Sequence, residues 1–71
     1  MFGSVYIYGL GMMGGSLAKC IKKNNISKKI YAYDTDKKSL AYAKKNRIIT
    51  DYDLNDFKYL SNTDLIVICT P

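Results

Sequence analysis

The 71-residue sequence has no His, no Trp, one Pro, one Arg and two Cys. Two cysteines cannot build a disulfide scaffold. Without His, a zinc site of the His/Cys kind has too few ligands. One Pro and five Gly exclude collagen-like and low-complexity chains. The longest wholly apolar run, Leu65–Cys69, has five residues, against about 20 for a membrane-spanning helix. Met1–Met13 carries no basic residue, and glycines break its apolar stretches, so no secretory signal is expected. These absences point to a reducing, cytoplasmic setting without membrane contact. Hydrophobic residues make up 48% of the chain and charged ones 24%, which excludes disorder of the low-hydrophobicity kind. The length allows one domain at most, and a chain this short buries only about 60% of its unfolded surface.

The net charge is +5. The first 35 residues hold five Lys and one Asp, and the remainder balances six basic against five acidic groups. The lysines come in scattered pairs, Lys22–Lys23, Lys28–Lys29, Lys37–Lys38 and Lys44–Lys45. That pattern suits solvated helix faces better than a nucleic-acid surface. Seven tyrosines could stack bases. Tyr6, Tyr8, Tyr31 and Tyr33, however, alternate along two apolar runs and read as packing residues between a sheet and its helices. No nucleic-acid partner is expected.

The apolar period switches repeatedly. Ser4–Tyr8 reads as a buried strand that stops at Gly9. Met13, Leu17, Cys20 and Ile21 then form one helical stripe, with a stop at Asn24-Asn25. Ile30–Asp34 reads as a second strand. Asp36 suits the N-cap of a helix over 37–46, with Leu40 and Ala43 inward. Ile48–Thr50 predicts a third strand. Asp53 is expected to cap a brief helix through Leu60, with Asp56 near its positive end and Leu54 and Phe57 on its buried side. Asp64–Cys69 predicts a fourth strand covered on both faces, ended by Thr70-Pro71. This alternation implies an α/β fold with a parallel sheet, right-handed crossovers and flanking helices.

Gly9-Leu10-Gly11-Met12-Met13-Gly14 is G-x-G-x-x-G. It follows a strand, opens an amphipathic helix, and has Asp34 twenty residues on, at the end of the next strand. That context makes it the dinucleotide-binding fingerprint of a Rossmann fold, here a partial one with expected strand order 3-2-1-4. Gly9 permits the sharp turn, Gly11 lets a pyrophosphate approach the backbone, and Gly14 lets the helix pack closely on the strand. The first-turn amides near Met12 and Met13 face the phosphates with about half a positive charge. Asp34 can accept both hydroxyls of the adenosine ribose and would repel a 2′-phosphate. The next residues are Thr35, Asp36 and Lys37, without an Arg, so NAD is expected rather than NADP. The cofactor-binding set is Gly9, Leu10, Gly11, Met12, Met13, Gly14 and Asp34. Cys69 and Thr70 are expected to line the crevice between the first and fourth strands. Cys69 packs there chiefly as a small hydrophobe, and Cys20 lies on the buried stripe. A methyltransferase domain binding S-adenosylmethionine shares a Gly-rich loop and an acid after the second strand, but Gly14 disfavours it. A non-enzymatic redox-sensing or nucleic-acid module is the remaining alternative.

The run Gly9–Ala18, Gly-Leu-Gly-Met-Met-Gly-Gly-Ser-Leu-Ala, resembles the opening of prephenate dehydrogenases, with Gly15-Ser16-Leu17-Ala18 as its specific part. Related β-hydroxyacid dehydrogenases resemble Gly9–Gly14 equally well. Ile30–Asp34 and Asp64–Pro71 are similar to the family's second and fourth strands. The resemblance implies oxidative decarboxylation of prephenate to 4-hydroxyphenylpyruvate in tyrosine biosynthesis, with hydride passed to the nicotinamide. It carries cofactor binding onto Gly9, Gly11, Gly14 and Asp34, with Thr70 as a cleft contact. The family's catalytic His has no counterpart here, and Arg47 is not placed to hold substrate carboxylates. The chain is therefore expected to be the N-terminal part of the dinucleotide-binding domain, residues 1–71, without catalytic residues of its own. The helical dimerisation domain, and with it the homodimer, belongs to the longer enzyme. Ending at Pro71 leaves Leu65–Ile68 as an unpaired edge, so self-association of the fragment is expected.

Overall fold

The computed structural model describes residues 2–54 and 56–69, and only the backbone of Met12, Met13 and Asn62. In chain order the elements are β1 (Phe2–Tyr8), α1 (Gly11–Lys23), β2 (Ser27–Tyr33), α2 (Lys37–Lys45), β3 (Asp51–Tyr52), a single 3-10 turn (Leu60–Asn62) and β4 (Leu65–Ile68). The strands form one parallel sheet in the order β3-β2-β1-β4. This is a partial Rossmann fold.

Register divides the sheet into two unlike faces. Val5 pairs with Ile30 and Leu65, and Ile7 with Ala32 and Val67. The side chains of Val5, Ile7, Ile30 and Ala32 share a core with Leu10, Ala18 and Ile21 of the first loop and helix, and with Leu40 and Ala43 of α2, and Val67 packs against it. Two right-handed crossovers in the same direction put both helices on that face. The β3-to-β4 connection runs back across the sheet, so the same rule sends it over the opposite face. There Tyr59 stacks on Tyr31 at 4.3 Å, and Phe57 meets Tyr33 at 4.8 Å.

Both helices end in the same way. Asn25 and Arg47 take positive φ, 52° and 58°. The following amides, of Ile26 and Ile48, donate to Ile21 and Ala43 five residues back. The amides of Asn25 and Arg47 donate to Lys22 and Lys44. This is the Schellman closure, with Lys22-Lys23 and Lys44-Lys45 at the negative helix ends.

Four expectations need correction. The third strand is Asp51–Tyr52 rather than Ile48–Thr50, because the Ile48 and Ile49 amides close α2 on the Ala43 carbonyl. Ile49 is still buried. The expected helix from Asp53 to Leu60 is absent from the described residues. Asp53 is fully buried and accepts from the Tyr6 hydroxyl at 2.8 Å and from the Tyr59 amide at 3.1 Å. Spent on the core, its carboxylate caps nothing, and Leu54 is exposed. The tyrosines therefore pack under this connection and not under a helix. Cys20 is exposed, not buried. Ile21 is buried and Leu17 packs against the core as expected, but the rest of the inward stripe of α1 is Gly14 and Ala18, which carry little hydropathy, preceded by Leu10 at the cap. Met13, once placed on that stripe, has a side chain outside the described residues. Finally, β4 is not covered on both faces: Leu65, Ile66 and Ile68 are exposed, and only Val67 and the adjoining Cys69 pack against the core. Asp64 precedes the strand and fastens it to β1, accepting from the Gly3 amide at 2.8 Å and the Ser4 amide at 3.2 Å.

Among the described residues no helix is long and apolar enough to cross a membrane.

Candidate nucleotide-binding site

The site lies at the carboxyl ends of β1 and β2. After Tyr8 the chain turns at Gly9, whose φ of 92° favours glycine. The Gly9 amide donates to the Tyr33 carbonyl at 2.8 Å, which keeps the turn beside the end of β2. Leu10 plugs into the core, and Gly11, at φ 39°, starts α1.

The three glycines do different things. A Cβ on Gly14 would stand 2.7 Å from the Gly9 carbonyl oxygen and 3.1 Å from Ile7 Cγ2. Only hydrogen fits there, and the helix packs directly on the strand end. A Cβ on Gly11 would meet nothing within 4 Å, so that side of the backbone stands open to an incoming group. α1 has no side-chain cap and no acid in its first turn. Its positive end, including the Met12 and Met13 backbone, is thus not neutralised from within the helix.

The neutralising charge comes from Asp34. Its Oδ2 accepts from the Gly11 amide at 2.9 Å, across 23 residues of sequence. Its Oδ1 accepts from the Asp36 amide at 2.9 Å and, more distantly, from the Thr35 hydroxyl at 3.4 Å. The Asp36 amide, with help from Gly11, holds the Asp34 carboxyl below the usual carboxylate range against the opposing effect of partial burial. A carboxylate offers about four acceptor positions. The Thr35 contact, at 3.4 Å, is long and exchangeable, so a ligand hydroxyl can take its place.

Asp36 is the N-cap of α2, as the sequence implies. Its carboxylate accepts from the Lys38 amide at 3.0 Å and the Ser39 hydroxyl at 2.9 Å. Its second role, donating its own amide to Asp34, was missed by sequence reasoning. The spacing contains the signal: an Asp accepting from the amide two residues on is a standard turn.

The structure brings Gly9, Leu10, Gly11, Gly14 and Asp34 together, with the Met12 and Met13 backbone beside them. Cys69 is half-buried, its amide donating to the Tyr8 carbonyl at 2.9 Å, and it packs against the core as a small hydrophobe. Thr70 lies outside the described residues. A groove of about 590 Å³ also opens beside Gly11, between α1 and α2, walled by Ser16 and Lys19 on one side and Lys38, Ser39 and Tyr42 on the other. Sequence reasoning did not anticipate it, because it needs the relative placement of two helices.

An open glycine backbone, a helix start without its own acid and an ionised carboxylate within reach suit a diphosphate joined to a sugar diol. No family model matches the chain. The structure does match the crystal structure of prephenate dehydrogenase from A. aeolicus in complex with hydroxyphenyl propionate and NAD+. The TM-score is 0.88 and the sequence identity 30%, and the match covers 100% of this chain and 25% of that one. Along its whole length, then, this chain is similar to one quarter of a prephenate dehydrogenase crystallised with NAD+.

Proposed function

We propose that the chain is the NAD-binding part of a dehydrogenase of the prephenate type, forming the N-terminal portion of its dinucleotide-binding domain. The backbone of Gly9, Leu10, Gly11, Met12, Met13 and Gly14 holds the pyrophosphate at the positive end of α1. Asp34 holds the adenosine ribose. Cys69 and Thr70 border the cleft at the end of β4. NAD supplies the hydride acceptor, and the chain's own residues bind and orient it. The longer protein oxidatively decarboxylates prephenate to 4-hydroxyphenylpyruvate in the cytoplasm, as a homodimer whose catalytic His and helical domain lie in the rest of the enzyme.

The observation that carries this reading is the bond from the Gly11 amide to Asp34 Oδ2, which sets the Asp34 carboxylate at the mouth of the glycine loop. Resemblance to an NAD+-bound prephenate dehydrogenase supports the same assignment.

Calorimetric titration with NAD and NADP tests the binding half. NAD binds more tightly than NADP, and Asp34→Ala weakens NAD by roughly 10- to 100-fold, the worth of a charge-assisted hydrogen bond or two. Undiminished NAD binding by Asp34→Ala refutes the ribose role. Prephenate-dependent NADH formation by the longer protein tests the reaction, and its absence with NAD binding intact leaves a dehydrogenase of another substrate.

A further inference from the structure

The Asp34 carboxylate accepts a backbone amide on each oxygen, Gly11 on Oδ2 and Asp36 on Oδ1. The Gly11 amide alone would leave the carboxylate plane free to turn about its own axis. The Asp36 amide on the other oxygen removes that freedom. A sugar diol needs two acceptors in one fixed plane, so the second hold matters for the ligand more than its own strength suggests.

The Asp36 amide is itself fixed from behind. Asp36 has extended backbone angles, φ −85° and ψ 97°, and both its carboxylate oxygens turn onto the first turn of α2, to the Lys38 amide and the Ser39 hydroxyl. Those donors also keep its carboxyl below the usual range, the Ser39 hydroxyl foremost. The Asp36 charge is thus spent on α2 and not on the ligand two residues away.

We propose that Asp36 is a positioning residue for nucleotide binding: by capping α2 it fixes the backbone N–H that locks the Asp34 carboxylate onto the Gly11 amide. The starts of α1 and α2 are thereby tied to one carboxylate, and the ribose meets an acceptor already set in place. This rests on Asp34 being the ribose acid.

The test is the preference of the purified protein for ADP over 2′-deoxy-ADP, two nucleotides with the same diphosphate that differ in one ribose hydroxyl. The ratio of their dissociation constants reports how well Asp34 is presented, and a general loss of structure leaves it unchanged. The unaltered protein prefers ADP by about tenfold, typical of one hydrogen bond to a charged group. Asp36→Ala lowers that preference to about threefold or less. Asp36→Asn, which caps equally well, retains it. Should Asp36→Ala fail to fold, Ser39→Ala removes one of the two contacts on the cap and lowers the preference by about half, in line with losing one neutral bond. An unchanged ratio, in Asp36→Ala or in Ser39→Ala where the former does not fold, overturns the proposal. So does an equal loss by Asp36→Asn and Asp36→Ala. A protein with no preference between the two nucleotides instead overturns the assignment of Asp34 itself.

Discussion

Alanine at two adjacent glycines of α1 should act with opposite sign. At Gly14 the new methyl would lie 2.7 Å from the Gly9 carbonyl oxygen and 3.1 Å from Ile7 Cγ2. The closer partner is backbone in the turn that positions the nucleotide, so helix and loop must separate by several tenths of an ångström. Overpacking of this kind costs about 1–3 kcal/mol, and the better helix propensity of Ala returns about 1 kcal/mol of it. The net is a loss of up to about 2 kcal/mol. At Gly15 the methyl meets nothing within 4 Å, so only the propensity acts, a gain of about 1 kcal/mol. The two variants should therefore differ by roughly 1–3 kcal/mol, about 5–20 °C in Tm for a domain of this size. Urea and thermal unfolding followed by circular dichroism measure the difference. Nucleotide titration adds a second readout, since Gly14→Ala displaces the Gly9 turn and weakens NAD whereas Gly15→Ala does not. Equal stability of the two variants would show that the helix does not sit on the strand end as described.

Asp53→Ala leaves the buried Tyr6 hydroxyl and the Tyr59 amide without their acceptor. It should cost about 2–4 kcal/mol in urea unfolding, with Asp53→Asn losing less, and a change under 1 kcal/mol would contradict the burial of this group. Arg47→Gly relieves a non-glycine residue at φ 58° and should stabilise by up to about 1 kcal/mol, net of the entropy glycine adds to the unfolded chain. A lower Tm for that variant would argue against the Schellman closure of α2. The Asp34 carboxyl sits below its ordinary value in the folded state. Its contribution is therefore complete above the unfolded value of about 3.9 and is lost as pH falls through the lower folded one. Carboxyl NMR titration should find Asp34 and Asp36 titrating below the ordinary Asp value of about 3.9, and NAD affinity should stay level from pH 8 to about pH 5. A fall in affinity between pH 7 and pH 6 would exclude Asp34 as the group responsible.

Glycine spacing, the acid after the second strand and the alternation of apolar periods through the second helix are local signals, and each survived into three dimensions. G-x-G-x-x-G works through backbone angles and the absent Cβ, which belong to those residues wherever the chain goes. Strand order followed from the same alternation, because right-handed crossovers leave few choices. The cap at Asp36 and the stop at Asn24-Asn25 are likewise written into three or four consecutive residues.

What the sequence by itself determined about this protein is thus the parallel α/β frame, the glycine turn and the acid that faces it. Only the tertiary structure decided where competing partners went. Asp53 had the sequence of a cap, but a buried Tyr6 hydroxyl 47 residues away claimed its carboxylate. The third strand moved because two amides were needed to close the helix before it. The inward stripe of α1 took Gly14 and Ala18 in place of Cys20, since close contact with the sheet rewards small side chains that hydropathy undervalues. A polar group or a helix face is assigned by the geometry of its available partners, and those partners meet only when the chain folds.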